Sequence, residues 1–175
     1  MRLDLGPLER LPAERAFAFE ETFEPMTVGG EPVAFEGPVE VRGKAERVRG
    51  GVLLSGEVRA PVRLRCGRCL DLFPTLLRPE LDLMLAPPGV EGAEDSLPYA
   101  ETLDLTPAVE EAIVLELPVR PLCRPDCPGL CPRCGARRDA GCSCPPEPAG
   151  DGRWSALADW LRSHPDPPED GEPRA

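Results

Sequence analysis

Asparagine and glutamine are missing from all 175 residues, and lysine, isoleucine, histidine and tyrosine each occur once. Each shortage excludes something. The sole histidine, His164, stands beside Pro165 near the C-terminal end, a poor place for a general base. Hydrolytic zinc centres keep an open position and lean on histidine or carboxylate ligands, and the histidines for such a centre are lacking. No phosphate-binding P-loop, dinucleotide-binding glycine pattern or Gly-x-Ser-x-Gly elbow is present. The chain is therefore expected to be non-catalytic. Lys44 is the one lysine, so 19 of 20 basic residues are arginine, as in GC-rich coding, and the missing thermolabile amides suit a thermophilic bacterial source. Long apolar runs are also absent. Residues 1–24 carry Asp4, Glu9, Glu14, Glu20, Glu21 and Glu24 and contain no apolar segment of the signal-peptide kind. Stretches such as Ala112 to Leu115 are far too short to cross a bilayer. The expected location is the cytoplasm, where thiols stay reduced.

Against these shortages stand eight cysteines. Cys66 and Cys69 form an isolated Cys-x-x-Cys pair; Cys123, Cys127, Cys131, Cys134, Cys142 and Cys144 crowd one short stretch. A Cys-x-x-Cys turn aims two thiolates at one point, and two such pairs complete the closed tetrahedral sulfur site that Zn²⁺ prefers. Eight thiols suit two structural Zn²⁺ ions per chain. Disulfides, which belong to short secreted chains, and an iron–sulfur cluster are the alternatives. Cys131-x-x-Cys134 and the close Cys142-x-Cys144 pair can surround one ion with a short intervening loop, and by elimination Cys66 and Cys69 are expected to share the other with Cys123 and Cys127. In the competing partition Cys123, Cys127, Cys131 and Cys134 group together and leave Cys66 and Cys69 with Cys142 and Cys144.

The formal net charge of −11 argues against a nucleic-acid partner until its distribution is considered. Residues 1–41 hold three arginines against nine acids, and residues 69–122 hold two against eleven. Between them Arg42, Lys44, Arg47, Arg49, Arg59, Arg63, Arg65 and Arg68 face only Glu46 and Glu57. These eight cations are the candidate RNA contacts; the bland reading is a solvated sheet face.

Twenty-four prolines and seventeen glycines argue against long helices. Leu3 and Leu5, then Phe17 and Phe19, alternate as short strands do. From Val39 to Leu64 the alternation is clearest: Gly50-Gly51 supplies a turn, and after Pro61 the residues Val62, Leu64 and Cys66 interleave with Arg63 and Arg65, an apolar face opposite an arginine-rich one. Leu81, Leu83 and Leu85 predict another strand, followed by a loop over Ala86 to Pro98. Asp104 or Thr106, Pro107 and the spacing of Leu105, Val109, Ala112, Ile113 and Leu117 predict a helix at about 104–117, stopped by Pro118, with Glu110, Glu111 and Glu116 on its wet face. A second amphipathic segment carries Trp154, Leu157, Ala158 and Leu161, expected to dock on the body, and His164 to Ala175 reads as a disordered acidic tail. The expected fold class is α+β: a small antiparallel sheet or open barrel with one packed helix and a zinc-stapled extension. The expected units are residues 1–122, 123–162 and 163–175.

The ordered set Cys66-Gly-Arg-Cys69, the segment from Leu103 to Pro118, Cys127-Pro-Gly-Leu-Cys-Pro-Arg-Cys-Gly135, Cys142-Ser-Cys144 and Asp151-Gly-Arg-Trp-Ser-Ala-Leu resembles the bacterial YceD family, the large ribosomal RNA subunit accumulation proteins also found in plastids. The resemblance covers residues 1–162, although the first 35 residues carry no motif that matches. It implies a role in accumulation or processing of 23S ribosomal RNA and large-subunit assembly, with ribosomal RNA or an assembly intermediate as partner. No membrane or small-molecule substrate is expected. The alternatives are an adaptor whose acidic surfaces bind basic ribosomal proteins, and a zinc or thiol enzyme.

Overall fold

The computed structural model describes residues 1–7, 10, 13–89, 96–145 and 154–164. Ten strands and two helices follow in the order β1 (Arg2–Asp4), β2 (Glu14–Glu21), β3 (Met26–Val28), β4 (Glu31–Phe35), β5 (Val39–Val48), β6 (Gly51–Arg65), β7 (Leu72–Leu77), β8 (Glu80–Ala86), β9 (Leu97–Pro98), β10 (Thr102–Asp104), α1 (Thr106–Glu116) and α2 (Ser155–Ser163). Antiparallel pairing dominates; the β8–β9 contact is parallel, and the sheet is open. The fold is α+β, as expected.

β6 organises the sheet. Its first part pairs with β5 on one edge and β8 on the other, and its last part pairs with β4 and β7. The strand runs unbroken through Pro61. Along β6, pairing with β5 stops at Arg59 and pairing with β4 starts at Val62, so Pro61 falls in the gap between partners on that edge. Its carbonyl accepts from the Glu36 amide at 2.9 Å, and its nitrogen points to the same side, where no ladder donor is needed. Strand alternation then fixes the faces. Val39, Val41 and Ala45 of β5 and Val52, Leu54, Val58, Ala60 and Val62 of β6 are wholly buried on the inner face. Against them pack α1, through Val109 and Ile113 one turn apart, and Leu105 just before it. The α1 residues Glu110, Glu111 and Glu116 are exposed, the solvated face expected of them. Asp104 accepts the Thr106 amide at 3.0 Å, although Leu105 holds the cap position.

Four features depart from the sequence reading. β3 and β4 form a hairpin over Gly29-Gly30, whose φ angles of 60° and 86° are those of the tight primed turn that suits strand twist. β7 was not evident, because Pro74 interrupts its pattern. Leu97 and Pro98, placed in a loop, instead form β9; the middle of that loop, 90–95, lies outside the described residues. Finally, α2 does not dock: Trp154, Leu157, Trp160 and Leu161 are 64%, 47%, 54% and 52% exposed, and no described element covers them. Most of the expected acidic tail, 165–175, lies outside the described residues.

Candidate metal centres

The eight cysteines gather into two groups of four, Cys66, Cys69, Cys123 and Cys127 in one and Cys131, Cys134, Cys142 and Cys144 in the other, with all sulfurs of a group within 4.8 Å of one another. This is the first of the two partitions. No cysteine is in a disulfide. The spacing suits a shared ion rather than a disulfide. Four sulfurs at about 2.3 Å from a central ion at tetrahedral corners stand about 3.8 Å apart, whereas a disulfide needs about 2.05 Å. Cys66 to Cys127, Cys69 to Cys123 and Cys134 to Cys142 are each 3.8 Å between sulfurs. The residues fit a tetrahedral, sulfur-only ion.

The first group is built where β6 ends. The Cys66 amide donates to the Asp71 carbonyl at 2.8 Å and the Leu70 amide to the Cys66 carbonyl at 2.9 Å, closing a tight knuckle that leads into β7. Cys123 and Cys127 arrive from the segment after α1, held by a bond from the Gly67 amide to the Pro121 carbonyl at 2.8 Å. Arg68 acts as a strut: its guanidinium donates to the carbonyls of Cys127 at 2.8 Å and Pro125 at 3.4 Å, while its own carbonyl accepts the Leu130 amide at 3.2 Å. Gly129 must be glycine, because its φ is 73° and a Cβ would lie 3.0 Å from the Arg68 oxygen. Phe73 and Leu122 pack on this cluster, and Phe73 also touches the main core.

The second group repeats the knuckle. Here the Cys131 amide donates to the Ala136 carbonyl and the Gly135 amide to the Cys131 carbonyl, both at 2.8 Å. Arg137 fastens this knuckle to the first one by an ion pair with Asp71. It also grips Asp139 with two bonds of 3.0 Å, and Arg124 reaches Asp139 at 2.7 Å. The Arg137 hydrogen bonds, aided by the charges of Arg137 and Arg124, outweigh desolvation and hold the Asp139 carboxyl down at about 2.

Each cluster favours one thiolate and resists more. Burial opposes charge on Cys66, but the amides of Cys69, Cys123 and Arg68 aimed at its sulfur bring it down to about 6. At Cys131 the amides of Cys134 and Arg133 do the same, also to about 6. Cys69 receives help from the Asp71 amide, yet burial and the adjoining Cys66, Cys123 and Cys127 sulfurs push it up to about 12. Cys144 is likewise pushed up to about 12, chiefly by Cys134 and Cys131. Crowded sulfurs that cannot all ionise alone are stabilised as thiolates by a dication.

The candidate RNA contacts are less uniform. Arg42, Lys44, Arg59, Arg63 and Arg65 lie on the outer face, where acids from neighbouring strands interleave with them. Arg42 pairs with Glu40 at 3.2 Å, Lys44 with Glu46 at 3.0 Å and Glu14 at 3.4 Å, Arg65 with Glu31 at 3.3 Å, and Arg63 with Glu36. The arginine-rich face read along β6 alone is therefore a mixed face in the assembled sheet. Arg68 is committed to the first cluster. Arg47 and Arg49 stand apart, at the β5–β6 turn. What the sequence reading missed is the Asp71–Arg137–Asp139–Arg124 network; charges 66 residues apart, Asp71 and Arg137, give no local signal.

An open antiparallel sheet with one packed helix and two four-cysteine clusters defines the class: a small β-rich protein stapled at one end by candidate metal centres. Residues 54–161 match the family described as large ribosomal RNA subunit accumulation protein YceD, and the chain belongs to that family. An uncharacterized protein of Mycobacterium tuberculosis is 34% identical over 143 residues, covering 77% of this chain and 69% of its own length. Another, from Mycobacterium leprae, is 33% identical over 178 residues, covering 97% of this chain and 80% of itself. The maize chloroplast protein named large ribosomal RNA subunit accumulation protein YCED homolog 1 is 27% identical over 180 residues, covering 84% of this chain and 61% of itself. No solved structure matches the chain. The family description ties the chain to a ribosome-related role, and no described helix is long and apolar enough to cross a membrane.

Proposed function

We propose that this protein is a non-catalytic, zinc-stabilised factor for accumulation of 23S ribosomal RNA and assembly of the large ribosomal subunit, acting in the cytoplasm on ribosomal RNA or an RNA–protein intermediate. Membership of a family described by large ribosomal RNA accumulation carries the reading. The chemistry of the site is consistent with it. Sulfur-only spheres of four leave an ion no open position for substrate, so each Zn²⁺ would be structural. Cys66, Cys69, Cys123 and Cys127 would hold one ion and Cys131, Cys134, Cys142 and Cys144 the other. The first would join the end of β6 to the segment after α1 and so fix the sheet against the C-terminal extension.

The test is depletion in a bacterium carrying this gene, followed by complementation with wild type or with the Cys66→Ser, Cys69→Ser double variant. Depletion is expected to lower the ratio of mature 23S to 16S RNA and to distort the free-subunit profile; the double variant should fail to restore either. An unchanged ratio and profile on depletion would overturn the ribosomal reading. Metal analysis of reduced, chelator-free protein should return about two Zn²⁺ per chain, one for each set of four thiolates; iron in their place would replace zinc in the reading without touching the RNA role.

A further inference from the structure

We propose that the β5–β6 turn edge, through Arg15, Arg47 and Arg49, is the surface that grips RNA phosphates, and that the outer sheet face is not. This rests on the RNA-contact part of the proposed function and specifies where that contact is made.

Register separates the two surfaces. Arg15 is opposite Ala45, and Ala45 is wholly buried on the inner face. Arg47, two residues beyond Ala45, shares that face by alternation, and its amide donates to the Ala13 carbonyl at 3.0 Å, so β2 and β5 remain side by side there. Arg15 and Arg47 are thus diagonal cross-strand neighbours, within reach of one another's long side chains. Arg49 occupies the turn two residues further on, between Val48 and its partner Gly51, with Gly50 at φ 96° turning the chain. All three are exposed, and none has an ion-pair partner among the described residues. The acids next to them in sequence, Glu14 and Glu46, point to the opposite face, where Lys44 engages both. Three free guanidinium groups at one edge, with the neighbouring carboxylates turned away, present fork-shaped donors that match phosphate oxygens.

The paired cations of the outer face are less available. On the outer face Arg42, Lys44, Arg63 and Arg65 each already hold a carboxylate, and phosphate would have to displace it while facing the acids that remain. Arg133 lies between Cys131 and Cys134, beside a cluster that keeps two net negative charges when four thiolates hold one dication. Among the described residues the edge gathers three cations without an ion pair, whereas on the outer face Arg59 alone holds no carboxylate, and its Nε is buried.

The experiment is RNA binding across a salt series, followed by anisotropy, with a mixed-sequence single strand and a 23S transcript as probes. Three variants accompany wild type: Arg15→Ser, Arg47→Ser and Arg49→Ser together; the same three changed to Lys; and Arg42→Ser, Arg63→Ser and Arg65→Ser together. Loss of the edge should reduce the slope of log affinity against log salt by about two to three, roughly 0.7–0.9 for each phosphate contact. The lysine variant should keep most of the wild-type slope, since charge rather than shape is being supplied. The outer-face variant should stay close to wild type. If the outer-face variant takes the larger loss, or the edge variant binds as wild type does, the edge assignment fails while RNA binding stands. If wild type shows no salt-dependent binding to either probe, the RNA-contact reading fails with it and a protein partner takes its place.

Discussion

The two cysteine knuckles, Cys66-Gly-Arg-Cys69-Leu-Asp71 and Cys131-Pro-Arg-Cys134-Gly-Ala136, share a backbone and differ in everything around it. In both, the amide of the first cysteine reaches five residues ahead and its carbonyl accepts from four residues ahead. In both, that fourth residue is left-handed, Leu70 at φ 63° and Gly135 at φ 70°. Yet Cys66, Cys69 and Cys127 are buried and contact Phe73 of the core edge, whereas only Cys131 is buried in the second group and Cys134 is exposed. Both arginines are exposed, but the Arg68 guanidinium donates to the carbonyls of Cys127 and Pro125, whereas its counterpart Arg133 has no such contact among the described residues. The same local turn thus serves as a core staple in one place and as a peripheral clasp in the other; location, not the motif, sets what each contributes.

Removing the staple should therefore have the largest effect. A structural zinc site contributes on the order of 10 kcal/mol, comparable to the whole stability of a small domain. Cys66→Ser with Cys69→Ser is expected to release residues 118–145 from the sheet, exposing them to limited proteolysis and costing the first ion, with a large fall in melting temperature. Cys142→Ser with Cys144→Ser should lose one ion but leave the β2–β5–β6–β8 sheet protected in amide exchange. Equal unfolding in both double variants would erase the distinction between staple and clasp.

How much of this was readable from sequence follows the range of the interactions. The β5–β6 hairpin, β8 and α1 were legible because their signals are local: alternation, Gly50-Gly51, Pro107 and Pro118. The eight ligand candidates were legible too, as types and spacings. The partition was not decided by spacing, since both groupings satisfy it; it depends on the bond from Gly67 to Pro121 and the Arg68 strut, which tie segments more than fifty residues apart. The mixed outer face was hidden for the same reason, because Glu14, Glu31 and Glu36 reach the β5 and β6 cations only once the sheet is paired.

A smaller effect is expected from the link between the knuckles. Arg137→Ala removes the contacts to Asp71 and Asp139 without touching a sulfur. The Asp139 carboxyl, held at about 2 in the folded chain, should return toward its ordinary value of about 3.9. The sign follows from that depression: the carboxylate favours the folded state above about pH 4, and its contribution is lost as pH falls toward 2. Carbon-detected NMR titration of Asp139 measures the shift, and amide exchange of residues 131–142 should rise while that of 66–71 does not. An unmoved carboxyl would show that Arg137 does not hold it in solution.

The smallest effect tests the left-handed position itself. No atom lies within 4 Å of a Cβ built on Gly135, so a side chain there starts in open space and Gly135→Leu registers chiefly the backbone cost of φ 70°, about 1 kcal/mol. Leu70 demonstrates that the knuckle closes with a leucine there. The second cluster should consequently still bind its ion, with affinity lower by about fivefold, the equivalent of 1 kcal/mol. Leu70→Gly should move stability by less. Relief of the left-handed strain favours the variant, but the added freedom of glycine in the unfolded chain and the lost contacts of a side chain 51% exposed oppose it. Competition with a chelator measures the first change and thermal melting the second. A Gly135→Leu protein that binds no second ion would mean that the peripheral knuckle, unlike the buried one, has no surrounding structure able to hold a strained residue in place.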